Sequence, residues 1–142
     1  MSQNKIQRCA VLFLVVCLSA CGGIAFGPGL NDFDAELIHG YALVQYSAHE
    51  ILISKPASHN RNTGVYAKVV SLGYDDRYIL AKQQLLDTQE KHPLTDKFQY
   101  WIIDAPVEKQ FGPLTEDEFH AKRKELGVSE KIELKDKNEY RP

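Results

Sequence analysis

The 142-residue chain predicts an α+β fold: a single small domain with an antiparallel sheet of about five strands and one helix near the carboxyl end, residues 115–126. Three observations predict it. From residue 38 onward, apolar residues recur at a period close to two, in short runs rich in β-branched and aromatic side chains. Residues 115–127 carry a complete set of helix boundary signals instead. No internal repeat and no second apolar block suggests another core.

The strands follow in order. Ile38–Tyr46, with Tyr41, Leu43, Val44 and Tyr46, and Glu50–Ser54, with Ile51, Leu52 and Ile53, read as a hairpin joined through Ser47, Ala48 and His49. Pro56–Gly64 is loop chemistry throughout. Val65–Leu72 and Arg77–Lys82 form the next pair, with Gly73, Tyr74, Asp75 and Asp76 as the turn. Gln84–Lys91 is ambiguous and open to reading as a short helix, ended by His92 and Pro93. In Phe98–Ile103, Phe98, Tyr100 and Ile102 alternate with Gln99, Trp101 and Ile103. Apolar residues on both faces predict a central strand covered on each side, ended by Asp104 and Pro106.

The helix is written residue by residue. Thr115 is the N-cap with Glu118 at the capping-box position, Leu114 and Phe119 form a hydrophobic staple, and Gly127 follows Leu126 as the C′ residue. Glu116, Asp117 and Glu118 suit the positive end of the helix dipole, and Lys122, Arg123 and Lys124 the negative end. Phe119 and Leu126 share a narrow apolar stripe facing the sheet. Residues 129–142 are a polar carboxyl-terminal tail, read as a short edge strand around Ile132 and Leu134 and then a frayed end.

The amino terminus is of another kind. Lys5 and Arg8 precede the apolar run Cys9–Leu18, and no acid occurs before Asp32. As a helix rising about 1.5 Å per residue, that run covers roughly 15 Å of a hydrocarbon core about 30 Å thick, too little for a stable span. Leu18-Ser19-Ala20-Cys21 closes it and resembles the lipobox of bacterial lipoproteins. The resemblance implies that residues 1–20 are a signal peptide cut between Ala20 and Cys21. It also implies a diacylglyceryl group on the Cys21 sulfur and an acyl chain on its amine, a firm anchor where a single chain binds reversibly. Positions 22 and 23 are Gly rather than the inner-membrane retention Asp, so the outer membrane facing the periplasm is favoured. In an organism with one membrane, the same anchor implies the outer face of the cytoplasmic membrane. Residues 21–33 read as a lipidated flexible tether, with glycines at 22, 23, 27 and 29, and a reach on the order of 15–20 Å. Ile24 and Phe26 either rest at the bilayer surface or tuck into the domain of residues 34–128.

Composition excludes several functions. The 17 basic and 19 acidic side chains include Lys5 and Arg8 of the leader, so the mature part is mildly acidic. A phosphate-tracking surface is not expected, and nucleic acid is excluded as a partner. Cys9 and Cys17 leave with the leader, so no internal disulfide is expected.

The five histidines, His39, His49, His59, His92 and His120, show no metal-ligand spacing, so neither metal nor cofactor is expected. His49 with Glu50, and Asp75 with Asp76, read either as acid–base or hard-cation groups or as solvated turn residues. No Gly-x-Ser-x-Gly elbow and no phosphate loop is present, so no catalytic residue is assigned and the chain is not read as an enzyme. Tyr74, Asp75 and Asp76 are the candidate interaction residues, because their turn should expose the ring.

Gly73-Tyr74-Asp75-Asp76-Arg77-Tyr78-Ile79-Leu80, then Tyr100-Trp101-Ile102-Ile103-Asp104 and Gly112-Pro113-Leu114 before Phe119, resemble small bacterial lipoproteins with an uncharacterised domain of unknown function. That resemblance assigns no residue a role. The expected function is a lipid-anchored module of the cell envelope that binds a protein or wall component. One alternative is an immunity or inhibitor lipoprotein against a toxin or wall hydrolase, where a small acidic domain suits a basic partner. The other is an envelope hydrolase, which requires His49, His59 or His92 beside a carboxylate in a cleft.

Overall fold

A computed structural model describes residues 33–58 and 63–142. The leader, Ala20, Cys21, the glycine-rich tether before Phe33 and His59 lie outside the described residues. The α+β class is borne out: two antiparallel sheets and one helix form three layers. One sheet orders β1 (Phe33–Glu36), β2 (Ala42–Gln45) and β3 (Ile51–Ser54). The other is five-stranded. Its order is β7 (Lys109–Leu114), β6 (Pro93–Asp104), β5 (Tyr78–Leu86), β4 (Val69–Tyr74) and β8 (Lys135–Asp136). The helix, α1 (Glu116–Glu125), packs on the face of β6 turned away from the three-stranded sheet.

Alternation along β5 and β6 builds two cores at once. Ile79, Ala81, Trp101 and Ile103 meet Tyr41, Leu43, Ile51 and Ile53 between the sheets. Leu80, Tyr100 and Ile102 meet Phe119, Val128 and Ile132 under the helix. The doubly apolar pattern of β6 is thus that of a middle layer.

The structure corrects several expected boundaries. Ile38–Tyr46 is not one strand: His39 and Gly40 both take positive φ, as a type I′ turn requires, and fold β1 back on β2. Phe33, assigned to the tether, opens β1 opposite Gln45. Val65–Leu72 is likewise divided. Val65 exchanges two backbone hydrogen bonds with Ile53 of one sheet, Lys68 exchanges two with Gln84 of the other, and β4 begins only at Val69. The suggested helix over Gln84–Lys91 is absent, because Leu86 continues β5 opposite Pro93 and the chain turns at Asp87–His92. β7 was unforeseen, its alternation broken by Gly112 and Pro113. An edge strand tolerates that proline, and a Cβ on Gly112 would fall 2.5 Å from the Trp101 ring.

The edge strand expected around Ile132 and Leu134 forms instead at β8, Lys135–Asp136, opposite Ser71 and Leu72, and the tail beyond it does not fray. The Tyr140 hydroxyl donates to the Leu72 carbonyl (2.9 Å), and the Arg123 guanidinium donates to the carbonyls of Ser129 and Ile132.

The helix boundaries follow the sequence closely. Thr115 Oγ1 accepts from the Glu118 N–H, and the Glu118 carboxylate accepts from the Thr115 N–H at 2.8 Å. At the other end, Gly127 takes φ +65°. Its N–H donates to Lys124 and that of Val128 to Arg123, the Schellman pattern.

Thr115→Ala should lower the unfolding free energy by about 1 kcal/mol, measured by urea titration. The Thr115 N–H, and then its hydroxyl, hold the Glu118 carboxyl below its ordinary pKa. Its contribution is therefore complete above the unfolded-state carboxylate pKa and lost as pH falls through the lower folded value. Glu118→Gln removes the ionised carboxylate, so it should lower stability at neutral pH and flatten the decline in stability below about pH 4.

Candidate functional site

Two hairpin tips, distant in sequence, are each closed by a side-chain cap. In the β2–β3 turn, Ser47 Oγ accepts from the N–H groups of Glu50 (3.0 Å) and His49 (3.3 Å). In the β5–β6 turn, Asp87 Oδ1 accepts from those of Gln89 and Glu90, each at 2.8 Å, and Lys91 takes positive φ. The Glu90 and Gln89 donors hold the Asp87 carboxyl below its ordinary pKa, so it stays ionised at neutral pH. The tips meet at His49 and His92, whose rings stand 6.3 Å apart at 84°.

Between them lies a groove of about 680 Å³, within the usual range for ligand sites. Leu52 of β3, Leu85 and Leu86 of β5, and Ala67 of the crossover make it largely apolar. Tyr66, 65 % exposed, stands on one wall. The rim is polar, with Glu50, Asp87, Glu90 and Lys91 beside the two histidines.

Beneath the groove, Gln83 fixes the crossover. Its Oε1 accepts from Trp101 Nε1–H (2.6 Å) and Gln99 Nε2 (2.7 Å), and its Nε2 donates to the Ala67 carbonyl (2.8 Å).

The structure thus brings together His49, Glu50 and His92, which the sequence singled out one by one. His92 Nε2 stands 3.7 Å from Glu90 Oε2, too far for a hydrogen bond, and the two side chains are 69 % and 77 % exposed. That is a solvated ion pair when His92 is protonated, not an oriented acid–base couple. Among the described residues, no three His, Cys, Asp or Glu side chains form a metal-ligand set.

Tyr74, Asp75 and Asp76 lie elsewhere, in the β4–β5 turn. Tyr74 is 37 % exposed, with its ring 5.9 Å from that of Tyr140. Asp75 Oδ1 accepts from the N–H groups of Arg77 (2.9 Å) and Tyr78 (2.7 Å) and so holds the turn. The Asp76 carbonyl meets His39 Nε2 at 2.9 Å. His120 packs edge-on against Phe119.

Fold and groove together define a small three-layer α+β domain with a recessed, mostly apolar site between its sheets. Residues 38–138 match the family model described as "Protein of unknown function (DUF3997)", and the chain belongs to that family. No curated protein and no solved structure matches it.

Proposed function

We propose that this DUF3997 domain is a binding module of the cell envelope, held to a membrane by lipid on Cys21, and that the groove receives its protein or cell-wall partner. The observation that carries this reading is the groove itself, a recess with an apolar floor and a charged rim. Phe33 pairs with Gln45, next to the β2–β3 tip, so the preceding chain joins the domain at the groove's end. A tether of the expected reach would keep that end near the bilayer, in the periplasm if the outer membrane is the host. An immunity or inhibitor role is one form of the same reading, while a hydrolase draws, among the described residues, on the exposed pair of His92 and Glu90.

Cys21→Ser should release the protein from the membrane fraction and abolish labelling by a fatty-acid probe; retention with unchanged labelling overturns the anchor. In intact cells, a photoreactive residue at position 49 should crosslink a partner that one at the remote position 120 does not. Equal labelling from both positions overturns the groove as the site.

A further inference from the structure

The chain enters the domain beside the groove. Asp34 of β1 stands opposite Val44 of β2, and Val44 opposite Leu52 of β3, so the three form one row across the three-stranded sheet. Neighbouring strands lie about 5 Å apart, which puts Leu52, on the groove floor, about 10 Å from the point of entry. Side chains in such a row share one face of the sheet, and Val44 between the other two is buried. An apolar path thus leads from beside the entry to the floor of Leu52, Leu85 and Leu86.

The sequence before Phe33 suits that path. Residues 22–31, outside the described residues, carry no charged side chain, yet Ile24, Phe26 and Leu30 are apolar. The seven peptide steps from Phe26 to Phe33 span up to about 25 Å, more than twice the distance to Leu52. Pro28-Gly29 is a turn signal, which favours reversal of the chain upstream of it toward the groove. A neutral segment gains nothing from the charged rim, whereas the apolar floor takes Ile24 and Phe26 out of water. Attachment does the rest. A short linker gives an effective concentration on the order of millimolar, so a segment with only about millimolar affinity when free occupies the groove about half the time.

Resting on the groove as the partner's site, we propose that Ile24 and Phe26 of the chain's own tether are its resident occupants and that the partner displaces them. A docked Ile24 leaves three peptide steps to Cys21, about 10 Å, so the groove is held against the lipid until the partner arrives. Displacement frees the domain to the full length of the tether.

The protein purified from its own membranes, with benzoylphenylalanine at position 26, is reconstituted in vesicles of phosphatidylethanolamine and phosphatidylglycerol. Light should join position 26 to residues 47–52 or 85–92 of the same molecule and not to α1. Crosslinks to lipid, to a second copy of the chain or scattered over the domain overturn the docking. The substitutions Ile24→Ser and Phe26→Ser precede β1 and spare the folded strands. Together they empty a half-occupied groove, so labelling of the partner from position 49 in intact cells should rise about twofold while fatty-acid labelling stays the same. Unchanged labelling of the partner overturns the displacement. Groove crosslinks from position 26, with equal partner labelling from positions 49 and 120, keep the tether in the groove and remove the groove as the partner's site. Scattered crosslinks from position 26, with selective partner labelling from position 49, keep the partner's site and overturn the tether as its occupant.

Discussion

Replacing Phe119 by alanine is expected to lower the unfolding free energy by about 3–5 kcal/mol. Phe119 is the only buried side chain of α1, at 2 % exposure. Its ring stacks on Tyr100 at 5.0 Å and closes the second core with Leu80, Ile102, Val128 and Ile132. Leu114 and Leu126, at the two ends of the helix, are only partly buried against the same core. A domain of this size has about 5–15 kcal/mol of stability in all, so one truncation removes a large share. Denaturant unfolding followed through Trp101 measures it, since Trp101 is the sole tryptophan and faces the other core. His120→Ala, at the adjacent exposed position, should change stability by no more than about 0.5 kcal/mol. Similar losses at the two positions would mean that the helix does not depend on its single buried ring.

The helix was legible in sequence because each of its signals is local. Thr115 and Glu118 reach each other within one turn, and Gly127 answers a requirement of its own backbone. β6 was legible for a related reason: two apolar faces in one strand have no other stable place than between layers. The division into two sheets was not. It depends on His39 taking positive φ beside Gly40, which residue type alone does not demand. It also depends on Val65 and Lys68 pairing to different sheets, a choice made by tertiary packing.

The groove was less legible still. Its histidines lie in turns separated by three strands and a crossover, and no spacing rule relates them. Tyr74, Asp75 and Asp76 drew attention as an exposed turn, and the structure shows the Asp75 carboxylate accepting the N–H groups that shape that turn. A free carboxylate and a capping one look the same in sequence. Gln83 had no pattern to mark it, because its hydrogen-bond partners lie on the crossover and on β6.

Gln83→Met is the substitution that separates the architecture of the groove from its surface. Methionine has nearly the length of glutamine and fills the same space, but it accepts hydrogen bonds only weakly and donates none. Trp101 Nε1–H would then stay in the core without its acceptor, and the Ala67 carbonyl would lose its donor. A buried unsatisfied group costs about 1–3 kcal/mol, so the variant should lose about 3 kcal/mol by urea unfolding. A volume effect alone would cost less than about 1.5 kcal/mol. The loss should also have a local signature. Lys68 and Gln84 exchange backbone hydrogen bonds on the strand that Gln83 ties to Ala67, so their amides should exchange faster relative to those of α1. Val65 and Ile53, on the far side of the crossover, should follow. If stability falls while these amides keep their protection relative to the helix, Gln83 supports the core alone and the crossover is held by other contacts. Faster exchange confined to the crossover would identify Gln83 as the side chain that keeps the two walls of the groove in register.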